Sequence, residues 1–254
     1  MVEEYQPPPR NSGTREPRYP GDFAPRLRMV VGVGLLALVT LPGCRPSRQA
    51  PGPSPADLNL EAVAQEALVA TMPETPVQIT FDFRLKEADL RFEGKGVARV
   101  EPPYRVRIDL FSNRGEGLFR AALVGGDLRI PPGVPRELAP PPALLWAALG
   151  VFRPDAGLRL EEGRGGGNGR VTLRYGGDAG EDLRFHLANG LLTRAEIHEG
   201  GHLIEEVDLD LDESSENVVE TVYRNRALFL ELTFSLKSVE NVESFPSEIW
   251  DPGR

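Results

Sequence analysis

The hydrophobic period changes sharply at a few points along the chain. Leu60, Val63, Ala64, Ala67, Leu68 and Thr71 recur at helical spacing, with Asp57 or Asn59 placed to cap and Glu61 in the first turn. This predicts one amphipathic helix that ends before Pro73. From Pro76 the period becomes two: Val77, Ile79, Phe81, Phe83 and Leu85 alternate with more polar residues. Leu90 and Phe92 open a second strand, which resumes at Val97 after Gly94 and Gly96; those glycines read as a bulge or a sharp bend. Tyr104, Val106, Ile108 and Leu110 alternate with Arg105, Arg107 and Asp109, and strands follow at 118–124 and 127–130. Residues 131–142, rich in Pro, break the ladder. Residues 143–149 read as a short apolar helix closed by Gly150. Alternation then returns, punctuated by Asn168-Gly169, Gly176-Gly177, Asn189-Gly190 and Gly200-Gly201, the turn chemistry of antiparallel hairpins. Two last strands, near 218–224 and 227–236, precede a tail at 245–250.

The predicted fold is mainly β (α+β): an antiparallel meander of about ten strands with two covering helices. A flat sheet of that width is unusual, so the meander is expected to curl into a strongly curved sheet or incomplete β-barrel. The 27 Gly and 24 Pro among 254 residues fit many tight turns and argue against a helical bundle. Beneath the helix at 143–149 the broad apolar face leaves room for a cavity, with the Pro-rich flanks letting that helix act as a lid.

Residues 1–28 carry Pro, Gly, Arg and Glu with no apolar period, and read as disordered or as an extension ahead of the true translation start. Arg26 and Arg28 then precede an uncharged run at 29–41, too short for an ordinary membrane span and fitting a signal-peptide core. The run ends in Leu41-Pro42-Gly43-Cys44, and Cys44 is the sole cysteine. Residues 44–58 are Pro-, Ser- and Gly-rich and read as a tether, leaving 59–254 as the folded domain. The single cysteine excludes an internal disulfide, a CxxC redox pair and a Cys-rich zinc module. The net charge of -9 argues against a nucleic-acid partner.

The stretch around Cys44 resembles the lipobox of bacterial lipoproteins, with Pro42 as a departure from the usual small or β-branched residue. The resemblance implies that the Cys44 thiol is diacylated, that the chain is cut before it, and that the new N-terminus is acylated. The alternative reading is an ordinary secreted protein, or a buried helix with an incidental thiol. The part from Cys44 onward holds 24 basic and 34 acidic residues, so acyl chains rather than charge would hold it to a membrane.

A second resemblance rests on 104–130, YRVRIDLFSNRGEGLFRAALVGGDLRI, and on the short helix at 144–150. The Arg-x-Arg-hydrophobic strand, the Gly turn and the following Gly-Asp-Leu are similar to the central hairpins of the lipoprotein-sorting proteins LolA and LolB. It extends in order of elements over roughly residues 60–250, and families of uncharacterised lipoproteins share that fold. The lipobox matches the anchored LolB rather than the soluble LolA. The resemblance implies a curved sheet around an apolar cavity, at the periplasmic face of the outer membrane. No counterpart of the exposed apolar loop tip with which LolB hands over its cargo is recognised in the sequence.

Motifs with a catalytic look resolve into structure. His198-Glu199-Gly200-Gly201-His202 matches H-E-x-x-H, but two glycines are poor helix formers and the flanks alternate, so the segment reads as a hairpin. Asp208, Asp210 and Asp212 start like a calcium loop, yet Glu213 and Val219 stand where Gly and Glu are needed. Residues 163–169 fit no phosphate-loop spacing and read as a hairpin loop. His186 sits mid-strand, and no G-x-S-x-G occurs. The reading is therefore no enzyme, no metal and no cofactor beyond the lipid on Cys44.

Two functions remain. One is a membrane-anchored module that binds a lipophilic ligand or lipoprotein acyl chains, with candidate lining Ile79, Phe81, Phe83, Val106, Ile108, Leu110, Leu145 and Trp146. The other is a structural or protein-interaction lipoprotein of the envelope with a packed core. The oligomeric state is not legible.

Overall fold

The computed structural model describes residues 59–253, apart from 135, 137, 138, 179, 213 and 216. Cys44 and the segments read at 1–28, 29–43 and 44–58 lie outside the described residues. Helix α1 (Leu60–Thr71) starts at Asn59, whose side-chain oxygen accepts the Ala62 amide at 3.1 Å. Its Ala67 is fully buried, and Leu60, Val63, Ala64 and Leu68 pack against the same core.

The strands are β1 (Val77–Glu87), β2 (Leu90–Glu101), β3 (Arg105–Ser112), β4 (Gly117–Val124), β5 (Asp127–Arg129), then β6 (Arg159–Gly165), β7 (Arg170–Gly176), β8 (Asp182–Ala188), β9 (Leu191–Glu199), β10 (His202–Leu211), β11 (Val218–Asn225) and β12 (Leu230–Asn241). All twelve form one curved antiparallel sheet in the order β5-β4-β3-β2-β1-β12-β11-β10-β9-β8-β7-β6. The expected figure of about ten is thus an undercount, although the segments read from the period, the short one at 127–130 among them, already mark all twelve.

One meander is also too simple. The chain starts at the centre of the sheet, walks to the β5 edge, crosses to the β6 edge, and returns until β12 pairs with β1 from Val77↔Asn241 to Glu87↔Leu230. The exposed edges therefore fall on the very short β5 and on β6, whose sequence RLEEGRG is charged and Gly-bearing. Both features discourage pairing with another chain. Helix α2 (Pro142–Ala147) lies in the crossing segment and packs on β9 and β10.

Gly94 and Gly96 leave the β1–β2 pairing unbroken, so no bulge forms there. They sit opposite Phe83 and Phe81, and a Cβ at Gly96 would stand 2.1 Å from the Phe81 ring. The glycines are therefore seats for two cross-strand aromatic rings. At Gly94 a Cβ would also meet the Phe111 carbonyl oxygen at 2.0 Å, where β2 and β3 approach closely.

Helix α2 is packed into the core, with Leu145 bordering an apolar pocket. Ala143, Leu144, Leu145, Trp146 and Ala147 are all buried, so the helix is apolar on every side and belongs to the core. The Asp155 carboxylate accepts the Ala143 amide at its start. Gly150, at φ 82°, ends the turn by the Val151 N–H bond to the Trp146 carbonyl.

The opposite face of the sheet is charged. Glu206 is only 2% exposed, yet Arg194 and Arg226 close over it. On the same face Lys86–Glu231, Arg224–Glu231 and Arg224–Asp208 pairs at 2.6, 3.1 and 2.6 Å link β1, β12, β11 and β10. On β3 the Arg-x-Arg pattern holds the C-terminal segment in place. Arg107 pairs with Asp109 at 2.7 Å and donates to the Ile249 carbonyl, in a 3-10 turn at Ser247–Trp250.

Candidate functional site

The period-two strands place their apolar sets on one face, and at the end where β1, β3 and β11 finish that face is incompletely filled. A pocket of about 400 Å³ opens there. Phe83 and Leu85 of β1, Phe92 of β2, Ile108 and Leu110 of β3, Phe119 of β4, and Leu230, Leu232 and Phe234 of β12 form its floor and walls. Val134, Pro140 and Leu145 roof it. Among the described residues, Glu87 is the one charged residue on its boundary. The lining offers contact area for hydrocarbon and scarcely any hydrogen bonding, which matches an alkyl ligand rather than a polar one.

Of the residues singled out in the sequence, Phe83, Ile108, Leu110 and Leu145 lie in this wall. Phe81, Val106 and Trp146 do not. They are buried in packed core, because Phe81 rests on Gly96, Val106 is fully enclosed, and Trp146 faces Arg153 at 5.3 Å rather than the pocket. Ile79 lines a different pocket, of about 290 Å³, at the other end of the same face. Leu85, Phe92, Phe119 and the β12 leucines were missed. Leu85 shares its parity with Phe83 on β1, and that signal alone would have added it.

Polar groups also reach the apolar face, the fully buried Thr221 of β11 among them. Glu205 and the buried Tyr223 face each other there, the phenol donating to the carboxylate at 2.7 Å. Burial raises the Glu205 pKa, opposed in part by that hydrogen bond, and burial with the adjacent Glu205 charge raises Tyr223.

The motif at 198–202 is a hairpin turn, with Gly200 and Gly201 at φ 56° and 84°. His198 is buried and its Nε2 lies 2.8 Å from Glu196, whereas His202 is exposed beside Glu199, so the two rings point to opposite faces. Asp212 accepts four hydrogen bonds from Ser214 and Ser215, which hold its pKa at about 2. Among the described residues no group of three or more His, Cys, Asp or Glu is arranged to hold a metal ion.

An exposed apolar tip, unrecognised in the sequence, is present between β11 and β12. Phe229 is 80% exposed at φ 53°, next to Leu228. The residues ALFLELTF read as one strand because no Gly, Pro or Asn lies within 226–229. Asn225 makes the turn instead, its side chain accepting the Leu228 amide at 3.0 Å.

No protein-family model matches the chain, and no curated protein matches it in sequence. Solved structures do. A LolA superfamily protein from Nitrosomonas europaea aligns with TM-score 0.50 at 11% identity, covering 76% of this chain and 97% of that one. A DUF1329 family protein from Desulfovibrio piger gives TM-score 0.49 at 6% identity, with 78% and 98% covered. A domain assigned to outer membrane lipoprotein sorting, from Vibrio parahaemolyticus, gives 0.47 at 7% identity, with 75% and 95% covered. With its curved antiparallel sheet and two helices, the described domain has the LolA-like fold.

Proposed function

We propose that this domain binds the alkyl part of a lipophilic ligand, such as an acyl chain, in the apolar pocket between the sheet and α2. The observation that carries the reading is the pocket of about 400 Å³ walled almost wholly by Phe, Leu and Ile. Each buried methylene contributes about 0.8 kcal/mol, so a chain of several carbons needs no polar anchor to bind. The module is held to the cell envelope through acyl groups on Cys44, the periplasmic face of the outer membrane being favoured because Arg45 rather than Asp follows the cysteine. It is not assigned a catalytic role.

Purified protein, denatured and analysed by mass spectrometry for non-covalent lipid, tests the pocket. A co-purified lipid at near-stoichiometric amount is expected, and its loss from a Leu110→Arg variant that still folds locates it. Detergent phase partitioning tests the anchor. Wild type is expected in the detergent phase and Cys44→Ala in the aqueous phase; equal partitioning would contradict lipidation.

A second reading, attachment to a protein partner or membrane surface, draws on Phe229. A bulky apolar side chain is kept there in a backbone conformation it adopts at a cost, and is left in water.

A further inference from the structure

Two apolar pockets share the inner face of the sheet, and the Phe81 ring stands between their lining residues on β1. Along β1 the inward row runs Val77, Ile79, Phe81, Phe83, Leu85. Val77 and Ile79 line the smaller pocket and Phe83 and Leu85 the larger, while Phe81 lines neither. Ile79 and Phe83 stand roughly 13 Å apart, at about 3.3 Å per residue. The Phe81 ring fills that interval. On one side it contacts Phe234 of β12, with ring centroids 4.6 Å apart; on the other it covers Gly96 of β2, where a Cβ would stand 2.1 Å from it. It therefore spans three neighbouring strands, β12, β1 and β2. The helical side is matched: Leu145 roofs the larger pocket and Leu149 the smaller, four residues on along the α2 turn.

We infer that Phe81, braced by Phe234 and seated on Gly96, is a septum that limits the length of alkyl chain the domain accepts. This rests on the alkyl-binding reading above and deepens it. A linear chain entering the larger pocket runs along β1 and meets the ring. With the ring removed, the two pockets become one apolar slot that takes a longer chain of the same class. Glycine at position 96 is needed because any side chain there would push the ring out of its seat.

The test is a length series of saturated fatty acids, from octanoate to stearate in steps of two carbons. They are titrated into the full chain carrying Cys44→Ser, so that no acyl group of its own competes. In the otherwise wild-type chain, affinity should rise by roughly four-fold per methylene and then level off once the larger pocket is full. In Phe81→Ala the levelling should move to acids at least two carbons longer. Phe234→Leu, which conserves most of the buried volume, should move it in the same direction by less. Val239→Trp, filling the smaller pocket in the Phe81→Ala background, should return it toward the original length. The same levelling point in all four proteins would overturn the septum while leaving alkyl binding intact. Failure of the wild-type sequence to bind any acid would overturn the alkyl-binding reading, and the septum with it.

Discussion

At the scale of single residues, the inner face is informative where it departs from hydrocarbon. Glu205 is the clearest case, since burial raises its pKa above the ordinary 4.5. A carboxyl whose pKa is raised on folding holds its proton more firmly in the native state. It therefore favours folding at low pH, and that contribution is lost as pH rises through the raised value. Glu205→Gln removes the charge and keeps an acceptor for Tyr223. The variant should be more stable than wild type at pH 7, and the difference should vanish below the ordinary carboxylate range; urea unfolding at several pH values measures it. Phe229 makes the opposite point at the surface. Its φ of 53° suits glycine, and its side chain is 80% exposed. Phe229→Gly should stabilise by roughly 1 kcal/mol, which calorimetry would read as a Tm rise of about 2–4 °C. An unchanged or lower Tm would mean that the ring packs after all. Neither feature is legible in sequence. The alternation around Glu205 reads simply as a polar strand, and the apolar Ala227-Leu228-Phe229 after Asn225 reads as the start of a strand rather than as a turn.

Among the elements, α2 separates packing from binding. Its six residues were legible as a helix from their apolar run and from Gly150, but not its role. A short apolar segment between Pro-rich flanks reads the same whether it covers a cavity or fills a core. Burial on all sides decides for the core. Trp146, 2% exposed and away from the pocket, should then cost about 3–5 kcal/mol when cut to Ala, with little change in ligand affinity for the protein that remains folded. Leu145→Ala opens a wall that already borders empty space. It should cost less, about 2 kcal/mol, and should weaken binding of a fluorescent fatty-acid probe. Denaturant titration beside probe titration for both variants checks the pair, and equal effects on affinity would remove α2 from the pocket wall. The strands tell a similar story. Period two and the Gly turns placed nearly every strand. The pairing of β12 with β1 was not legible, because alternation says which face a residue occupies and nothing about which distant strand lies beside it. Gly94 and Gly96 likewise looked like a break in β2, and are seats for Phe81 and Phe83.

For the whole molecule, the LolA-like fold follows from one topological fact. The first and last strands, β1 and β12, lie side by side at the centre of the sheet, so its two free edges are joined by the crossing segment with α2, which packs on the inner face. That places a packed helix above a sheet too broad for it, and the unfilled remainder is the apolar pocket. The overall class was readable in the alternating pattern, and four of the candidate lining residues proved to be in the wall. The others were not separable in advance, since side chains of one parity on one strand divide between core and cavity only by where the roof sits. The most direct measurement of the central claim is equilibrium binding of a fluorescent fatty-acid probe to the full chain carrying Cys44→Ser, compared with the same chain carrying Leu110→Arg. Saturable binding at one site, displaced by unlabelled palmitate and abolished in a folded Leu110→Arg protein, is the predicted result. No saturable binding, or binding that Leu110→Arg leaves unchanged, would contradict it.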